Sequence, residues 1–119
     1  DIGWRRIILN LKLTNRGTTL IATIIGELDH HSAEHIIQKL DAEMMKSSTK
    51  NLIMDFSKVN FMDSSGIGVI IGRYKKIKSL NGKLSITGIN DKIRRIFNLS
   101  GILKLMPAYE NIDEAIKKM

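Results

Sequence analysis

The sequence predicts an α/β fold in which helices pack on a largely parallel β-sheet. Short β-branched and apolar segments alternate with segments whose apolar residues recur every three or four positions. Turn residues such as Asn81-Gly82 and Ser100-Gly101 separate these segments. Such alternation is typical of parallel strands joined by helical crossovers, and the predicted order is β-β-α-β-α-β-α-β-α.

The first third of the chain predicts a hairpin followed by a helix. Residues 6–13 and 18–25 are rich in β-branched and apolar side chains, and Asn15-Arg16-Gly17 between them predicts a hairpin turn. From Ser32 onwards the apolar residues follow helical spacing and form one buried stripe: Ala33, Ile36, Ile37, Leu40 and Met44. The short apolar run at 52–56 then predicts a central strand that is covered on both faces.

A second helix begins at Ser64 or Ser65 and reaches about Leu80. Its predicted inner stripe consists of Ile67, Ile70, Ile71, Tyr74 and Ile77. A strand is predicted at 83–87, and Asn90 can cap a third helix that Ser100-Gly101 ends. The inner face of that helix is Ile93, Ile96 and Phe97.

The end of the chain predicts one more strand and a terminal helix. Residues 102–106 read as a short strand closed by Pro107. Asn111 and Glu114 have the spacing of an N-cap and its capping-box partner. The apolar face of the terminal helix is predicted to be Ile112, Ala115, Ile116 and Met119. Without a linker or repeat, residues 1–119 are predicted to form a single domain.

Composition excludes several classes of protein. The chain has no cysteine, which rules out disulfides and thiolate metal sites. His31 and His35 are four residues apart, but no further ligand stands at a diagnostic spacing, so we expect no metal. The net charge of +7 is spread over predicted helix surfaces, and the few aromatic residues do not interleave with basic clusters, which argues against nucleic-acid binding.

The localisation expected from the sequence is cytoplasmic. No apolar run approaches the roughly 18–20 residues that a membrane span needs. The first residues also lack the order of a secretory signal. We therefore expect a cytoplasmic protein, not associated with a membrane and monomeric when free.

Two serines stand where the second helix is predicted to begin, directly after Asp63. A helix start presents unpaired backbone N–H groups and the positive end of the helix dipole. Ser64 or Ser65 could therefore be an N-cap, or a phosphoacceptor whose added charge would act as a switch. The residues alone do not choose between the two serines.

A serine hydrolase is disfavoured at this site. The strand-to-helix turn of hydrolases carries the motif Gly-x-Ser-x-Gly, whereas here Met62 and Asp63 stand two residues before Ser64 and Ser65. A nucleophile also needs an adjacent base, and the only histidines are at 30, 31 and 35. We therefore expect a protein that is not an enzyme.

Three glycines follow the serines within one predicted helix. Each of Gly66, Gly68 and Gly72 costs about 1 kcal/mol relative to alanine in a helix interior. Either the helix packs very closely on the sheet, or the glycines form a flat surface on which another backbone can rest. Since the apolar stripe occupies the inner side, part of the glycine face is expected to point outward.

A second group of polar residues crowds the end of the second strand. It consists of Glu27, Asp29, His30 and His31. In α/β sheets the loops that follow strand ends commonly form the binding surface. Asp29 could instead simply cap the helix that follows.

These two segments resemble the anti-sigma factor antagonists of the STAS-domain group. The similar stretches are Gly-Glu-Leu-Asp-His-His-Ser-Ala-Glu at 26–34 and Phe-Met-Asp-Ser-Ser-Gly-Ile-Gly-Val-Ile-Ile-Gly-Arg-Tyr-Lys at 61–75. Many STAS domains share Asp-Ser-Ser-Gly, whereas Gly-Glu-Leu-Asp-His-His narrows the resemblance to the sporulation branch, the anti-sigma-F factor antagonists. The resemblance covers residues 7–119 and leaves 1–6 without a clear match. It implies a STAS-type mixed sheet with helices.

The resemblance also implies a switch by partner exchange. The unphosphorylated antagonist would bind an anti-sigma factor that is also a serine kinase, and the sigma factor would be released. The kinase, which binds the ATP or ADP, would phosphorylate Ser64. A phosphatase would remove the phosphate again. The antagonist itself would need no cofactor. The implied partner-binding residues are Glu27, Asp29, His30, His31, Asp63, Ser64, Ser65, Gly66, Ile67 and Gly68. The alternatives are an antagonist in a general stress-response circuit and a STAS interaction module that does not switch.

Overall fold

The structure is a computed structural model that describes residues 5–8 and 10–119. Its elements are β1 (Arg5–Ile8), β2 (Leu11–Arg16), β3 (Thr19–Leu28), α1 (Ala33–Lys46), β4 (Asn51–Met62), α2 (Ser64–Ser79), β5 (Leu84–Thr87), α3 (Arg94–Ser100), a 3-10 turn (Ile102–Lys104), β6 (Ala108–Tyr109) and α4 (Ile112–Lys118). Within the described residues the strands form one sheet in the order β1-β2-β3-β4-β5-β6. The pairs β1/β2 and β2/β3 are antiparallel, and the remaining neighbours are parallel. The predicted mixed α/β class is confirmed.

The helices lie on both faces of the sheet. Helices α1, α2 and α3 pack on one face and enclose the main hydrophobic core, which includes Leu20 of β3 and Leu52 of β4. The next residue in each strand, Ile21 and Ile53, belongs to a separate cluster with Ala115 of α4. Because successive side chains of a strand point to opposite faces, α4 covers the face of the sheet that α1–α3 leave open.

The predicted inner stripes of the helices agree with the packing. Those of α1 and α2 contact the main core, although α2 also buries Val69 and Arg73, which the sequence pattern did not single out. In α4 the predicted apolar face packs on the second cluster, and the Asn111 side chain accepts a hydrogen bond from the Glu114 N–H at 2.9 Å, as predicted for the cap. Gly101, with φ 73°, ends α3 in the left-handed conformation that favours glycine.

The predicted opening hairpin is wrong in its boundaries. A turn at Asn10, whose φ is 64°, separates β1 from β2 within the segment predicted as one strand. Asn15 and Arg16, predicted as turn residues, continue β2, and the turn falls at Gly17. The reason lies in tertiary contacts: the Asn15 side chain is buried and donates to Glu43 Oε2 at 3.1 Å.

Strand β4 is longer than the predicted run at 52–56 and extends to Met62. In its second half only Val59 and Met62 are buried, whereas residues 52–56 of its first half are all buried. The change arises because β5 pairs only with residues 52–55, while β3 accompanies β4 to its end. A continuous apolar run therefore predicts only the part of the strand that has neighbours on both sides.

Two predictions in the last third of the chain are wrong. Residues 102–106 do not form a strand, because Ile102–Lys104 is a 3-10 turn and the strand that pairs with β5 is Ala108–Tyr109. Buried Ile102 and Met106 lie four positions apart, and a short apolar run of this kind cannot be assigned to strand or helix by spacing alone. Asn90 does not cap α3, which begins at Arg94: its Oδ1 accepts the Lys92 N–H in the turn before the helix, and its Nδ2 donates to the Val59 carbonyl of β4.

Candidate functional site

The carboxyl ends of β3 and β4 lie side by side and bring the two predicted site segments together. Glu27 pairs in register with Phe61, and Leu28 pairs with Met62. Directly after the strands, the N–H of Asp63 donates to the carbonyl of Leu28 at 3.3 Å. The loop that carries Asp29, His30 and His31 therefore adjoins the start of α2.

Asp63, and not a serine, is the N-cap of α2. Its Oδ1 accepts a hydrogen bond from the Ser65 N–H at 2.8 Å, and its carbonyl accepts one from the Gly66 N–H at 3.0 Å. Of the two alternatives considered for the serines, the one in which Ser64 or Ser65 is the N-cap is therefore wrong. A carboxylate is an equally good cap and also interacts favourably with the helix dipole, so Asp63 fills the position and leaves the serines free of it.

The Ser64 side chain is exposed, and Ser65 is half-buried. Within residues 10–119 neither hydroxyl takes part in a hydrogen bond. Ser64 is the first residue of α2, so its hydroxyl stands at the helix start and points to no fixed partner. Such a hydroxyl is accessible to a second protein.

The acidic loop after β3 is held in a fixed conformation by Asp29. Its Oδ1 accepts hydrogen bonds from the N–H groups of His31 and Ser32, both at 3.0 Å. The Ser32 hydroxyl in turn donates to the Glu27 carbonyl at 2.9 Å. The Asp29 side chain thus organises the turn that leads into α1, whose N-cap is Ser32, so the alternative in which Asp29 caps this helix is wrong.

The same hydrogen bonds lower the pKa of Asp29 below its ordinary value of 3.8. The main cause is the Ser32 N–H, which stabilises the carboxylate, and partial desolvation opposes it. The His31 N–H and the charge of the His31 ring add smaller effects in the same direction as Ser32. Asp29 is therefore negatively charged at neutral pH.

The histidines flank this turn. The rings of His30 and His31 are exposed and stand 3.9 Å apart between centroids. His35, one turn into α1, is half-buried, and its Nε2 has no hydrogen-bond partner within the described part of the chain. A cleft of about 570 Å³ lies here and is lined by Asn10, Gly26, Glu27, Asp29, His31, Ser32, His35 and Asn60. Among the described residues no three His, Cys, Asp or Glu side chains, including those of this cleft, are placed so that together they could hold a metal ion.

The surface around Ser64 is acidic although the whole chain is basic. Glu27 is exposed, and Asp29 and Asp63 are partly exposed. None of the three forms an ion pair with a lysine or arginine among the residues that the structure describes. Three carboxylates without a lysine or arginine ion pair therefore share this edge of the sheet with the serine hydroxyl.

The three glycines of α2 differ in their surroundings. A Cβ added to Gly66 would stand 2.5 Å from Met62 Cγ and 3.0 Å from Leu28 Cγ, so glycine is required for the close approach of α2 to the sheet. A Cβ added to Gly68 or Gly72 would meet nothing within 4 Å. Close packing on the sheet thus explains Gly66, whereas a role of Gly68 and Gly72 in contacting another backbone stays a prediction. Ile67, between Gly66 and Gly68, packs half-buried against the core.

One apolar residue at this edge was missed as a candidate. Phe61 at the end of β4 is 50 % exposed and pairs in register with Glu27. Local spacing does not indicate its exposure, because the apolar run at 52–56 predicts a strand that ends before it. A large exposed aromatic next to acidic side chains is typical of a protein-binding surface.

No helix in the described part of the chain has the length and apolar character to cross a membrane.

A second cleft, of about 620 Å³, lies at the C-terminal ends of α1 and α2 and is lined by Met45 and Leu80 among others. It is at the opposite ends of the two helices from Ser64, so it is not part of the candidate site.

The sequence is similar to those of known proteins. A family model, the STAS domain, matches residues 10–115. The chain is 32% identical over 111 residues to the anti-sigma F factor antagonist of Paenibacillus polymyxa, with 93% of this chain and 95% of that protein covered. It is 28% identical over 105 residues to the anti-sigma-B factor antagonist of Staphylococcus aureus, with 88% and 96% covered.

Solved structures of anti-sigma factor antagonists have a similar fold. The phosphorylated form of the Bacillus cell fate determinant SpoIIAA is 28% identical with a TM-score of 0.71, with 91% of this chain and 97% of that chain covered. The unphosphorylated form of the anti-sigma factor antagonist SpoIIAA is 25% identical with the same TM-score, with 91% and 96% covered. The chain therefore belongs to the STAS domain family, on the branch of the anti-sigma factor antagonists.

Proposed function

We propose that this chain is a binding protein controlled by phosphorylation of Ser64. In its unphosphorylated form it binds an anti-sigma factor that is also a serine kinase, and the bound sigma factor is released. Phosphate on Ser64 ends the binding, and a phosphatase restores the serine. The observation that carries the proposal is the exposed, unbonded Ser64 hydroxyl at the start of α2, beside an acidic surface.

The geometry favours Ser64 over Ser65 as the phosphoacceptor. Ser64 is exposed, whereas Ser65 is half-buried and its N–H is bound to Asp63. A kinase must reach the hydroxyl with its own active-site groups and the γ-phosphate of ATP, so exposure matters more than position in the motif. The existence of a phosphorylated form of SpoIIAA, a related protein, supports the same chemistry here.

The charge of a phosphoserine explains how binding would end. It adds about −1.5 to −2 charges at neutral pH, next to the carboxylates of Glu27, Asp29 and Asp63. In a complex these carboxylates would repel the phosphate, and the phosphate would lose bound water where the partner packs against Ser64. A penalty of about 3–4 kcal/mol would weaken binding several hundredfold, because about 1.4 kcal/mol corresponds to a factor of ten.

The added charge acts at the surface and leaves the fold intact. The N–H groups of Ser65 and Gly66 are already bonded to Asp63 and cannot bind the phosphate without displacing that cap. The phosphate therefore remains directed outward, where a partner meets it. In this proposal the chain itself catalyses nothing and needs no cofactor, and the nucleotide belongs to the kinase; the protein works in the cytoplasm.

The sigma-F circuit is the first candidate for the partner. The relative from Paenibacillus polymyxa, named an anti-sigma F factor antagonist, is more similar than the anti-sigma-B factor antagonist of Staphylococcus aureus. The second candidate is a stress-type circuit of the sigma-B kind, which that Staphylococcus relative supports. Both circuits would use the same phosphorylation of Ser64.

Binding and phosphorylation by both types of anti-sigma factor test the proposal. The chain is incubated with a sigma-F-type or sigma-B-type anti-sigma kinase and ATP, and the phosphate is located by mass mapping. Ser64→Ala is expected to remain bound in the presence of ATP, Ser64→Asp to bind several hundredfold more weakly, and Ser65→Ala to behave like the unmodified chain. Phosphate on Ser65, no phosphate from either kinase, or equal affinities of Ser64→Ala and Ser64→Asp would contradict the proposal.

A further inference from the structure

The segment of β4 that leads to Ser64 lacks a strand on one side. Strand β5 pairs with β4 only at residues 52–55, and β6 pairs with β5 still further from it. From Phe56 to Met62 the β5-facing side of β4 therefore has no strand partner among the described residues. Contacts other than strand pairing hold this side of β4, which ends two residues before Ser64.

A buried carboxylate holds the point where β4 leaves β5. Asp55 is 5% exposed. Its Oδ1 accepts the Thr87 hydroxyl at 2.9 Å, and its Oδ2 accepts the Ser57 hydroxyl at 2.8 Å. Gly88, with φ 72°, lies against it, and a Cβ there would stand 2.7 Å from Asp55 Oδ1. The end of β5 is thus built closely around this side chain.

An amide holds the next part of β4 from the loop after β5. The Asn90 Nδ2 donates to the Val59 carbonyl at 2.8 Å and lies 3.4 Å from the Phe56 carbonyl. Its Oδ1 accepts the Lys92 N–H at 3.0 Å, which fixes the side chain in place. Asn90 therefore substitutes for the missing strand by satisfying carbonyls that a neighbouring strand would otherwise bind.

The register of β4 against β3 changes twice in the same segment. The pairs are Thr23 with Asp55, then Ile25 with Lys58, and finally Glu27 with Phe61, so β4 contains two more residues than β3 over this length. Each irregularity changes the faces to which the later side chains of β4 point, because a register shift of one residue moves every later side chain to the other face. The position of Ser64 relative to Glu27 depends on both.

We propose that Asp55 and Asn90 are positioning residues for phosphate transfer to Ser64. They hold the half of β4 that lacks a strand on its β5-facing side, in the irregular register that presents Ser64 beside Glu27 and Asp29. They do so without contacting the reacting atoms themselves. This inference rests on the proposed function of Ser64. Transfer needs the hydroxyl in a narrow range of positions, and a displacement of about 1 Å can reduce a rate by up to about a hundredfold.

The substitution Asn90→Asp tests this with a matched control. It retains the oxygen that binds the Lys92 N–H but removes the donor to Val59. Asn111→Asp changes the same residue type at the cap of α4, on the other face of the sheet, and retains the cap oxygen. A second variant, Thr87→Val, removes one donor to Asp55 with little change in volume.

Kinase assays and hydrogen exchange are expected to separate positioning from general stability. For Asn90→Asp and Thr87→Val, kcat for transfer to Ser64 is expected to fall on the order of tenfold while KM changes less than about threefold. Backbone amides from 58 to 65 are expected to exchange faster than in the unmodified chain, whereas those of β2 are expected to exchange at an unchanged rate. Asn111→Asp is expected to match the unmodified chain in both measurements.

Two results would overturn the inference. One is unchanged exchange in the 58–65 segment of Asn90→Asp, and the other is faster exchange with an unchanged kcat. If no anti-sigma kinase phosphorylates Ser64 of the unmodified chain, the proposed function fails. The exchange comparison would still decide whether Asp55 and Asn90 hold this segment, so the two failures are distinguishable.

Discussion

The N–H of Asp63 donates to the Leu28 carbonyl at 3.3 Å, and this bond joins the ends of β4 and β3 directly beside Ser64. It holds the serine and the acidic turn at Asp29 on one edge of the sheet. A charge added at Ser64 therefore acts on a surface whose parts are already fixed relative to one another. Affinity for a partner can then change without any change of fold.

Phosphorylation is expected to leave the stability of the free chain nearly unchanged. The favourable helix dipole and the repulsion by Asp63 oppose each other at Ser64, and the nearby N–H groups are already bonded. We expect the free energy of unfolding in urea to change by less than about 1 kcal/mol in Ser64→Asp or the phosphorylated chain. Ser65→Ala serves as the control, and a loss of more than about 2 kcal/mol would show that the phosphate disturbs the fold.

The capping carboxylate of Asp63 is expected to contribute measurably to stability. Asp63→Ala leaves the Ser65 N–H without its partner and should reduce the free energy of unfolding by about 1 kcal/mol. Asp63→Asn retains a capping oxygen and should cost much less. The two variants are compared by urea denaturation at neutral pH. Equal losses would mean that the charge of Asp63, and not its hydrogen bond, stabilises the start of α2.

Two glycines of the same helix are expected to respond in opposite ways to alanine. Gly66→Ala forces a methyl group against Met62 and Leu28 and should destabilise by about 1–3 kcal/mol. Gly68→Ala places its methyl group in open space and should stabilise by up to about 1 kcal/mol.

Partner binding adds a second test of Gly68. If the anti-sigma factor rests its backbone on this part of α2, Gly68→Ala weakens binding although it stabilises the free chain. Calorimetric titration with the anti-sigma factor, together with thermal unfolding, measures both effects. A variant that is more stable and binds with unchanged affinity would show that Gly68 lies outside the interface.

The turn at Asp29 is expected to make stability depend on pH only in acid. The folded state holds the pKa of Asp29 below 3.8, mainly through the Ser32 N–H, so its contribution is fully present above the unfolded pKa. That contribution is lost as the pH falls through the lower, folded pKa. The difference in unfolding free energy between the unmodified chain and Asp29→Ala should be constant above about pH 5 and shrink below about pH 4. A difference that already shrinks between pH 6 and 7 would contradict this assignment to Asp29.

The sequence predicted the parts of the fold that depend on local periodicity. The stripes of α1, α2 and α4 follow helical spacing, and their residues pack where predicted. The cap of α2 could not be assigned, because Asp63 and two serines are all good capping residues and only the three-dimensional position of Asp63 decides among them.

Other errors arise from contacts between residues far apart in the chain. Asn15 has the composition of a turn but continues β2 because buried Glu43, 28 residues away, accepts its amide. Asn90 is a good helix cap by residue type, yet its amide binds β4. The position of the candidate site at two neighbouring strand ends was predictable from parallel topology. The bonds that hold those strand ends were not, since they join segments about 30 residues apart.

The placement of α4 offers a practical route for observing partner exchange. This helix and its exposed Lys117 lie on the face of the sheet opposite α1–α3, while Ser64 lies at the edge where β3 and β4 end. Because the chain contains no cysteine, Lys117→Cys would provide one unique thiol for a fluorophore or for attachment to a surface. The binding and release of a kinase or a phosphatase could then be followed in real time, with a label placed away from Ser64.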